Sequence, residues 1–325
     1  MDNTCIICGE KAPLKLIDKH SDHALEYSLF ECGQCGACFW VPFKNPGSEW
    51  YENDERYRGA NTHPSVEPTR NHRKTLDFLL PRKGRVFDIG CGTGNFLNLA
   101  RKKGWAVAGI DFDSNAINTA KTVFSIPSVE LATLDEYIAR HPNDDKYDLV
   151  TFFDVFEHID NHKHFIEEVK ALLAERGYIV MSMPYRHASR WLQPHDLPPR
   201  HLTRWSRSSL KKFFEQNGFG IVLVERQPTS LFNVVMKLRF RYGKFFSFGL
   251  VKRAKDAESK RPTKKVSESR SVSHDTQFGK LRPIHLAAKI KDISIFGIPA
   301  VVLWIYFYIK GEIYTELFAI AQKNK

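Results

Sequence analysis

The sequence predicts an α/β fold: a doubly wound, mostly parallel sheet with a small cysteine-rich module in front of it. Three observations carry that expectation. Strand-like apolar runs alternate with helix-period segments from residue 85 to residue 224, the pattern of a sheet covered on both faces. A glycine turn, Gly90-Cys-Gly-Thr-Gly94, joins the first strand of that series to its first helix. Five of the six cysteines crowd into the first 38 positions.

The cysteines come first in the chain, as Cys5-x-x-Cys8 and Cys32-x-x-Cys35-x-x-Cys38. Two C-x-x-C pairs with 23 residues between them have the spacing of a tetrahedral thiolate zinc site. Cys5, Cys8, Cys32 and Cys35 are the expected ligands of a structural Zn2+ in a ribbon over residues 1–45, and Cys38 is the spare. Gly9 and Gly36 follow the knuckles and free the turns to point amides at the sulfurs. A module this small has little core of its own, so the metal would supply its folding energy. The competing readings are a disulfide framework and an iron–sulfur cluster on Cys32, Cys35 and Cys38. Met1 to Pro13 is polar and has no apolar leader, so the cytoplasm, where thiols stay reduced, is the expected setting.

Residues 46–84 read as a connector. They contain the aromatic and charged run Trp50 to Tyr57 and a helix from about Glu67 to Leu80. Strands are predicted near 85–89, 106–110, 128–132, 147–153 and 177–183, with helices between them. A helix near 206–217 then precedes a strand at 218–224, so the core is placed at 85–226. Tyr147 to Phe153 is a continuous apolar run of the kind buried on both sides. The first strand ends at Asp88, and the second ends at Asp111, where a doubly wound fold places the acid that holds ribose hydroxyls. The glycine spacing is G-x-G-x-G rather than G-x-G-x-x-G. A carboxylate beside it suits a ligand bearing an ammonium group and repels a pyrophosphate.

Asp88-Ile-Gly-Cys-Gly-Thr-Gly94 and Gly109-Ile-Asp111 resemble the first two motifs of the class I S-adenosylmethionine (SAM) dependent methyltransferases, some of which carry a zinc-ribbon leader. The resemblance runs from about Leu76 to Phe219. It implies a Rossmann-like methyltransferase core with a seven-stranded sheet, closed by an antiparallel strand at Glu312 to Ala321 within residues 312–325. It also implies SAM as cofactor, with the methionine end at the glycine turn and Asp88, and the ribose at Asp111. Gly90, Cys91, Gly92, Gly94, Phe112, Leu134, Phe153 and Asp154 would line the same pocket.

Beyond the fourth strand lies Asp154-Val-Phe-Glu157-His158, at the sheet edge where ligands of open α/β folds bind. The family's matching D/E-x-x-E-H segment lies beside the methyl donor, which makes His158 the leading general base. A bland alternative is a helix-start histidine bonded to a nearby carbonyl. Certain metal-using methyltransferases carry a similar E-x-x-E-H and a later histidine, so Asp154, Glu157, His158 and His201 are a candidate divalent-cation set, with Asp154 one methylene short of the pattern. Tyr185 to Trp205 is the expected substrate-facing loop. His201 and His195 are its second-rank catalytic candidates, with simple loop packing as the alternative. Arg200-His-Leu-Thr-Arg-Trp-Ser206 resembles an H-L-x-x-F/W-S element of this group, in which Ser206 caps a helix.

The net charge of +11 is partly local. Residues 227–311 are expected to be an insertion in three parts: an aromatic and basic run from Met236 to Phe248, a Ser/Lys/Glu-rich stretch from Lys252 to Asp275 expected to be disordered, and an uncharged run from Ile293 to Ile309. The last is short for a spanning helix and contains Gly297 and Pro299, so an interfacial or re-entrant contact on the inner face of a membrane is expected, with a lid over the active site as the alternative. The leading functional expectation is a SAM-dependent methyltransferase acting on a small-molecule, sugar, glycan or lipid-linked acceptor. The alternatives are an RNA methyltransferase and a non-catalytic, membrane-associated SAM-binding scaffold. No nucleic-acid motif accompanies the basic segment, so nucleic acid is not the expected partner.

Overall fold

In the computed structural model of the chain, the residues described are 4–22, 25–47, 50–51, 68–79, 82–142, 145–185, 196–235, 238 and 297–324. They fall into two units, one of residues 1–227 with 314–325, the other of residues 228–313.

In chain order the first unit contains β1 (Leu14–Asp22), β2 (Leu25–Cys32), β3 (Cys38–Val41), α1 (Arg70–Leu79), β4 (Arg85–Ile89), α2 (Asn95–Lys102), β5 (Ala106–Asp111), α3 (Ser114–Thr122), β6 (Val129–Leu131), α4 (Leu134–Arg140), β7 (Tyr147–Phe153), α5 (His162–Leu172), β8 (Leu173–Pro184), β9 (Thr203–Arg204), α6 (Arg207–Gln216), β10 (Phe219–Pro228) and β11 (Tyr314–Lys323). A 3-10 turn, Phe156–His158, follows β7.

Seven strands form the main sheet in the order β10-β11-β8-β7-β4-β5-β6. The run β8-β7-β4-β5-β6 is parallel throughout, and β11 lies antiparallel to β8. The expected α/β class and seven-stranded sheet are both present. Alternation along the strands sends Phe87 and Val150 into one apolar layer and Val86 and Leu149 into the other. The first layer is rich in aromatic rings. Phe156, fully buried, touches Phe152, Phe165, Trp205, Phe213 and Phe214.

Helix starts follow their capping chemistry. Asp113 accepts from the amides of Asn115 and Ala116 to open α3, and a Thr133/Glu136 capping box opens α4. Ser206 accepts from the amide of Ser209 at the start of α6.

The N-terminal module is a second sheet, antiparallel, in the order β1-β2-β3-β9. Its fourth strand comes from Thr203–Arg204, so the ribbon sheet is completed by residues far downstream of 1–45. Strand boundaries also differ from expectation, β10 running on to Pro228 instead of ending at 224. β8 begins at Leu173, ahead of position 177, because α5 passes into it without a loop, and β11 runs over Tyr314–Lys323 rather than from Glu312.

In the second unit, 297–309 is one helix, so Pro299 does not interrupt it. Among the described residues no helix is long and apolar enough to cross a membrane. His195, the stretch Lys252 to Asp275, and all of the aromatic–basic run except Leu238 lie outside the described residues.

Candidate functional site

The glycine turn at the end of β4 has Gly90, Gly92 and Gly94 at φ 69°, 51° and 83°. A Cβ at Gly90 would stand 2.6 Å from Val155 Cγ2, whereas one at Gly92 would meet nothing within 4 Å. The turn is therefore packed from below at Gly90 and open at Gly92, which leaves room for a ligand against the backbone. The Gly92 amide donates to Asp111 Oδ2 at 2.8 Å, and the Asp113 amide donates to Asp111 Oδ1 at 2.9 Å. The acid at the end of β5 is thus held beside the turn. Burial pushes its carboxyl up to about 6.

Asp88 is deeper, 2% exposed, and accepts from Thr151 Oγ1 at 2.6 Å. Burial pushes it up to about 8 against that hydrogen bond. Cys91 is buried, and burial raises its thiol well above its ordinary range. Phe112 follows Asp111 and lies 5.2 Å from the Tyr51 ring. Leu134 sits in the first turn of α4 and is buried in the aromatic layer. Phe153 packs tilted against His72 and edge-on to Phe96. Asp154 has a φ of 54°, and its Oδ1 accepts from Ser182 Oγ at 3.4 Å.

The next residues bring two histidines and an acid together. His158 Nδ1 lies 2.6 Å from the Arg200 carbonyl; a carbonyl only accepts, so Nδ1 carries the proton and Nε2 keeps its lone pair. That Nε2 is 3.9 Å from Glu157 Oε1, and His201 Nε2 is also 3.9 Å from Glu157 Oε1. His201 Nδ1 faces Asp196 Oδ1 at 3.5 Å. Burial pushes His158 down to about 4, which leaves its imidazole neutral at pH 7. Glu157, His158 and His201 each offer one ligand atom within 4.8 Å of the others. Asp154 is not in that group, because the positive-φ turn directs it to Ser182. Of the four residues expected around a divalent cation, three converge.

Two features of this site were missed by sequence reasoning. Tyr51 is buried, its hydroxyl lies 3.1 Å from His158 Nδ1, and it donates to the Arg200 carbonyl at 3.4 Å. Asn45 Nδ2 donates to the His158 carbonyl at 2.8 Å. The only sequence signal for Tyr51 was an aromatic pair in a charged connector.

Hydrogen bonds also link the ribbon to the histidines. The Trp40 amide donates to the Leu202 carbonyl at 3.0 Å, and the Leu202 amide donates to the Glu157 carbonyl at 2.8 Å. In the ribbon itself the sulfurs of Cys5 and Cys35 are 3.9 Å apart and those of Cys8 and Cys32 are 4.0 Å apart. A tetrahedral site with bonds of 2.3 Å has sulfur–sulfur edges of about 3.8 Å, so the donor set fits a thiolate-bound metal. The Cys35 amide donates to Cys32 Sγ at 3.5 Å. Cys38 points away into a separate cluster with Tyr27, Leu29 and Trp40, and burial pushes its thiol up to about 12.

A parallel sheet with an open glycine turn and a paired acid at its carboxyl edge defines a domain of the doubly wound, nucleoside-binding kind. Residues 65–224 match the family model described as a methyltransferase domain. The chain carries a SAM-dependent methyltransferase domain. A curated relative, the ubiquinone biosynthesis O-methyltransferase of Serratia proteamaculans, is 24% identical over 157 residues, 46% of this chain and 62% of that protein. The chain thus spans about three fifths of the length of that relative. Among solved structures, a SAM-dependent methyltransferase from Archaeoglobus fulgidus is 19% identical with a TM-score of 0.49, covering 83% of this chain and 100% of that one. The cyclase SpnF is 12% identical with a TM-score of 0.50, covering 87% of this chain and 98% of that one. Likeness to SpnF establishes the fold alone, since one fold hosts many reactions.

Proposed function

We propose that the protein is an active SAM-dependent methyltransferase that methylates a hydroxyl on a small-molecule, sugar-linked or lipid-linked acceptor. The observation that carries this is the convergence of His158 Nε2, His201 Nε2 and Glu157 Oε1 just beyond β7, on the sheet edge that also holds the glycine turn. When bound, SAM supplies an electrophilic methyl group on a sulfonium. The chain's part is to hold that nucleoside at Gly92 and Asp111, orient the acceptor, and take its proton. With the methyl group supplied from the sulfonium to the acceptor oxygen, His158 Nε2 would take the proton that the hydroxyl gives up. Tyr51 and the Arg200 carbonyl fix the ring so that this nitrogen faces the acceptor. The O-methyltransferase named for the Serratia relative supports a hydroxyl acceptor.

In a second reading, in which His158 Nε2 is a ligand and not the base, Glu157, His158 and His201 would hold a divalent cation, which would lower the pKa of an acceptor hydroxyl. Cys5, Cys8, Cys32 and Cys35 would hold a structural Zn2+ with no open position for chemistry. A membrane contact is supported by the second unit. Ile298, Val302, Ile305 and Ile309 recur at helical spacing along one stripe and are exposed by 79%, 61%, 48% and 76%. The opposite side is anchored by buried Ala300 and by Trp304 Nε1 donating to the Thr229 carbonyl at 3.0 Å. We place the protein at the cytoplasmic face of a membrane through that stripe.

The test is a turnover assay with methyl-labelled SAM on cell extract, separated into lipid-extractable, glycan and aqueous fractions. Labelled product is expected, and His158→Ala should slow its formation while leaving SAM affinity unchanged. Retention of SAM with no labelled product in any fraction would refute the catalytic reading. Flotation with anionic vesicles tests the stripe, and Val302→Asp with Ile305→Asp should abolish it.

A further inference from the structure

A second cleft opens on the methyltransferase unit, away from the glycine turn and the histidine cluster. Its volume is about 530 Å³, and it is lined by Tyr185, by Ser206, Arg207, Ser208 and Lys211 at the start of α6, and by Ile221, Val224 and Arg226 of β10. Three of these side chains are cationic and three carry hydroxyls. No carboxylate lines the cleft among the described residues.

Arg226 is held in a way that leaves its charge unspent. Its guanidinium lies 4.4 Å from the Tyr314 ring centre and 5.8 Å from that of Tyr185, so two aromatic faces fix the plane of the fork. Neither Arg207 nor Arg226 makes an ion pair among the described residues. Lys211 has Glu215 one turn away at 3.6 Å, an exposed pair that does little to neutralise it. Three like charges around one concavity repel each other, and the first turn of α6 adds further positive potential. Planar guanidinium groups with neighbouring hydroxyls match a phosphate or diphosphate, which accepts in several directions at once. Ile221 and Val224 give the same cleft an apolar wall.

The position of the cleft says what such an anion would be part of. Tyr185 directly follows β8, and Phe153 of β7 pairs with Ser182 of β8, so both clefts open at the same edge of the sheet. In the order β7-β8-β11-β10 the cleft, lined from the end of β8 to β10, lies one to three strand spacings from β7, about 5–14 Å. We propose that the cleft of Arg207, Lys211 and Arg226 binds the phosphate or diphosphate group of the methyl acceptor, whose reacting hydroxyl lies at the histidine cluster about 5–14 Å along the sheet edge. The acceptor assignment rests on the methyltransferase reading above; the anion site does not.

The probe is inorganic pyrophosphate, titrated calorimetrically into the full chain, alone and with SAM present. The wild type should bind it. Arg226→Gln and Arg207→Gln should each weaken binding by roughly tenfold, the scale of one lost charge-assisted contact, with SAM affinity unchanged. Arg207 is exposed at a helix start, so its variant folds even if removing Arg226 from between two rings does not. Pyrophosphate affinity equal in the wild type and Arg207→Gln would overturn the proposal, as would no binding at all to the wild type when vesicles containing phosphatidic acid also fail to bind. Binding to those vesicles that is lost in Arg207→Gln, without binding of free pyrophosphate, would assign the site to a lipid-borne phosphate. Intact anion binding in a protein that gives no methylated product would sink the methyltransferase reading and leave the anion site standing.

Discussion

Replacing Asp88 by Asn should make the cofactor-free protein more stable and, at the same time, poorer at holding SAM. Asp88 is 2% exposed, and burial pushes its carboxyl up to about 8. The same side chain in an unfolded chain titrates near 3.9. Between about pH 4 and about pH 8 the folded state keeps a proton that the unfolded state has released, so stability falls as pH rises through that window and levels off above it. At pH 7 the unfolded state is favoured by about three pH units of ionisation, or about 4 kcal/mol as an upper limit. Asn has the same shape, can still accept from Thr151, and never ionises. The variant should therefore melt higher at pH 7 by up to roughly 8–16 °C, given 2–4 °C per kcal/mol for a domain of this size.

The assay is thermal unfolding of both proteins from pH 4 to pH 9 without cofactor. The gap should be near zero at pH 4 and widen toward pH 8. A gap independent of pH, or a wild type more stable than the variant at pH 7, would refute the reasoning. With SAM present the order reverses in affinity. If, as the family resemblance implies, the cofactor's ammonium meets Asp88, it favours the ionised carboxylate, so wild-type affinity should rise with pH toward about 8 with release of a proton on binding. The Asn variant should lose that pH dependence and roughly 10–100-fold in affinity.

Other expectations separate packing from ligand contact. Gly92→Ala should cost about 1–2 kcal/mol of stability for its left-handed backbone and abolish SAM binding, because its Cβ enters only open space. Gly90→Ala should cost more, about 2–4 kcal/mol, since its Cβ collides with Val155; denaturant melts and SAM titrations distinguish the two. His201→Ala should slow transfer with little change in SAM affinity, read as kcat against cofactor Kd. Cys32→Ser, or chelation of the proposed ribbon metal, should lower kcat without weakening SAM, because the ribbon holds Leu202 through Trp40 and β9, and Leu202 holds Glu157. Elemental analysis should find the proposed zinc in the wild type and in Cys38→Ala alike, and lose it in Cys32→Ser.

Local chemistry was legible in the sequence, and partnership between distant segments was not. The glycine turn, the acids Asp88 and Asp111, and the apolar run of β7 each announce themselves within a few residues, because backbone freedom and two-sided burial leave a composition. β9 consists of two residues, and only its pairing with Cys38 and Phe39 makes it a strand. Tyr51 reaches His158 across 107 positions, a contact that no periodicity encodes. The exclusion of Asp154 from the histidine cluster turns on one positive φ.

The place of β11 bears on synthesis at the ribosome. This strand lies between β8 and β10, yet Pro228–Ile313 must be made before it emerges. At ordinary elongation rates that interval is roughly 4–17 s. During it β8 and β10 each present a bare strand edge with no neighbour, the kind of edge to which other chains add. The nascent protein thus passes through a stage of seconds in which a chaperone, or a slower decoding rate across the intervening segment, would decide between correct closure and aggregation.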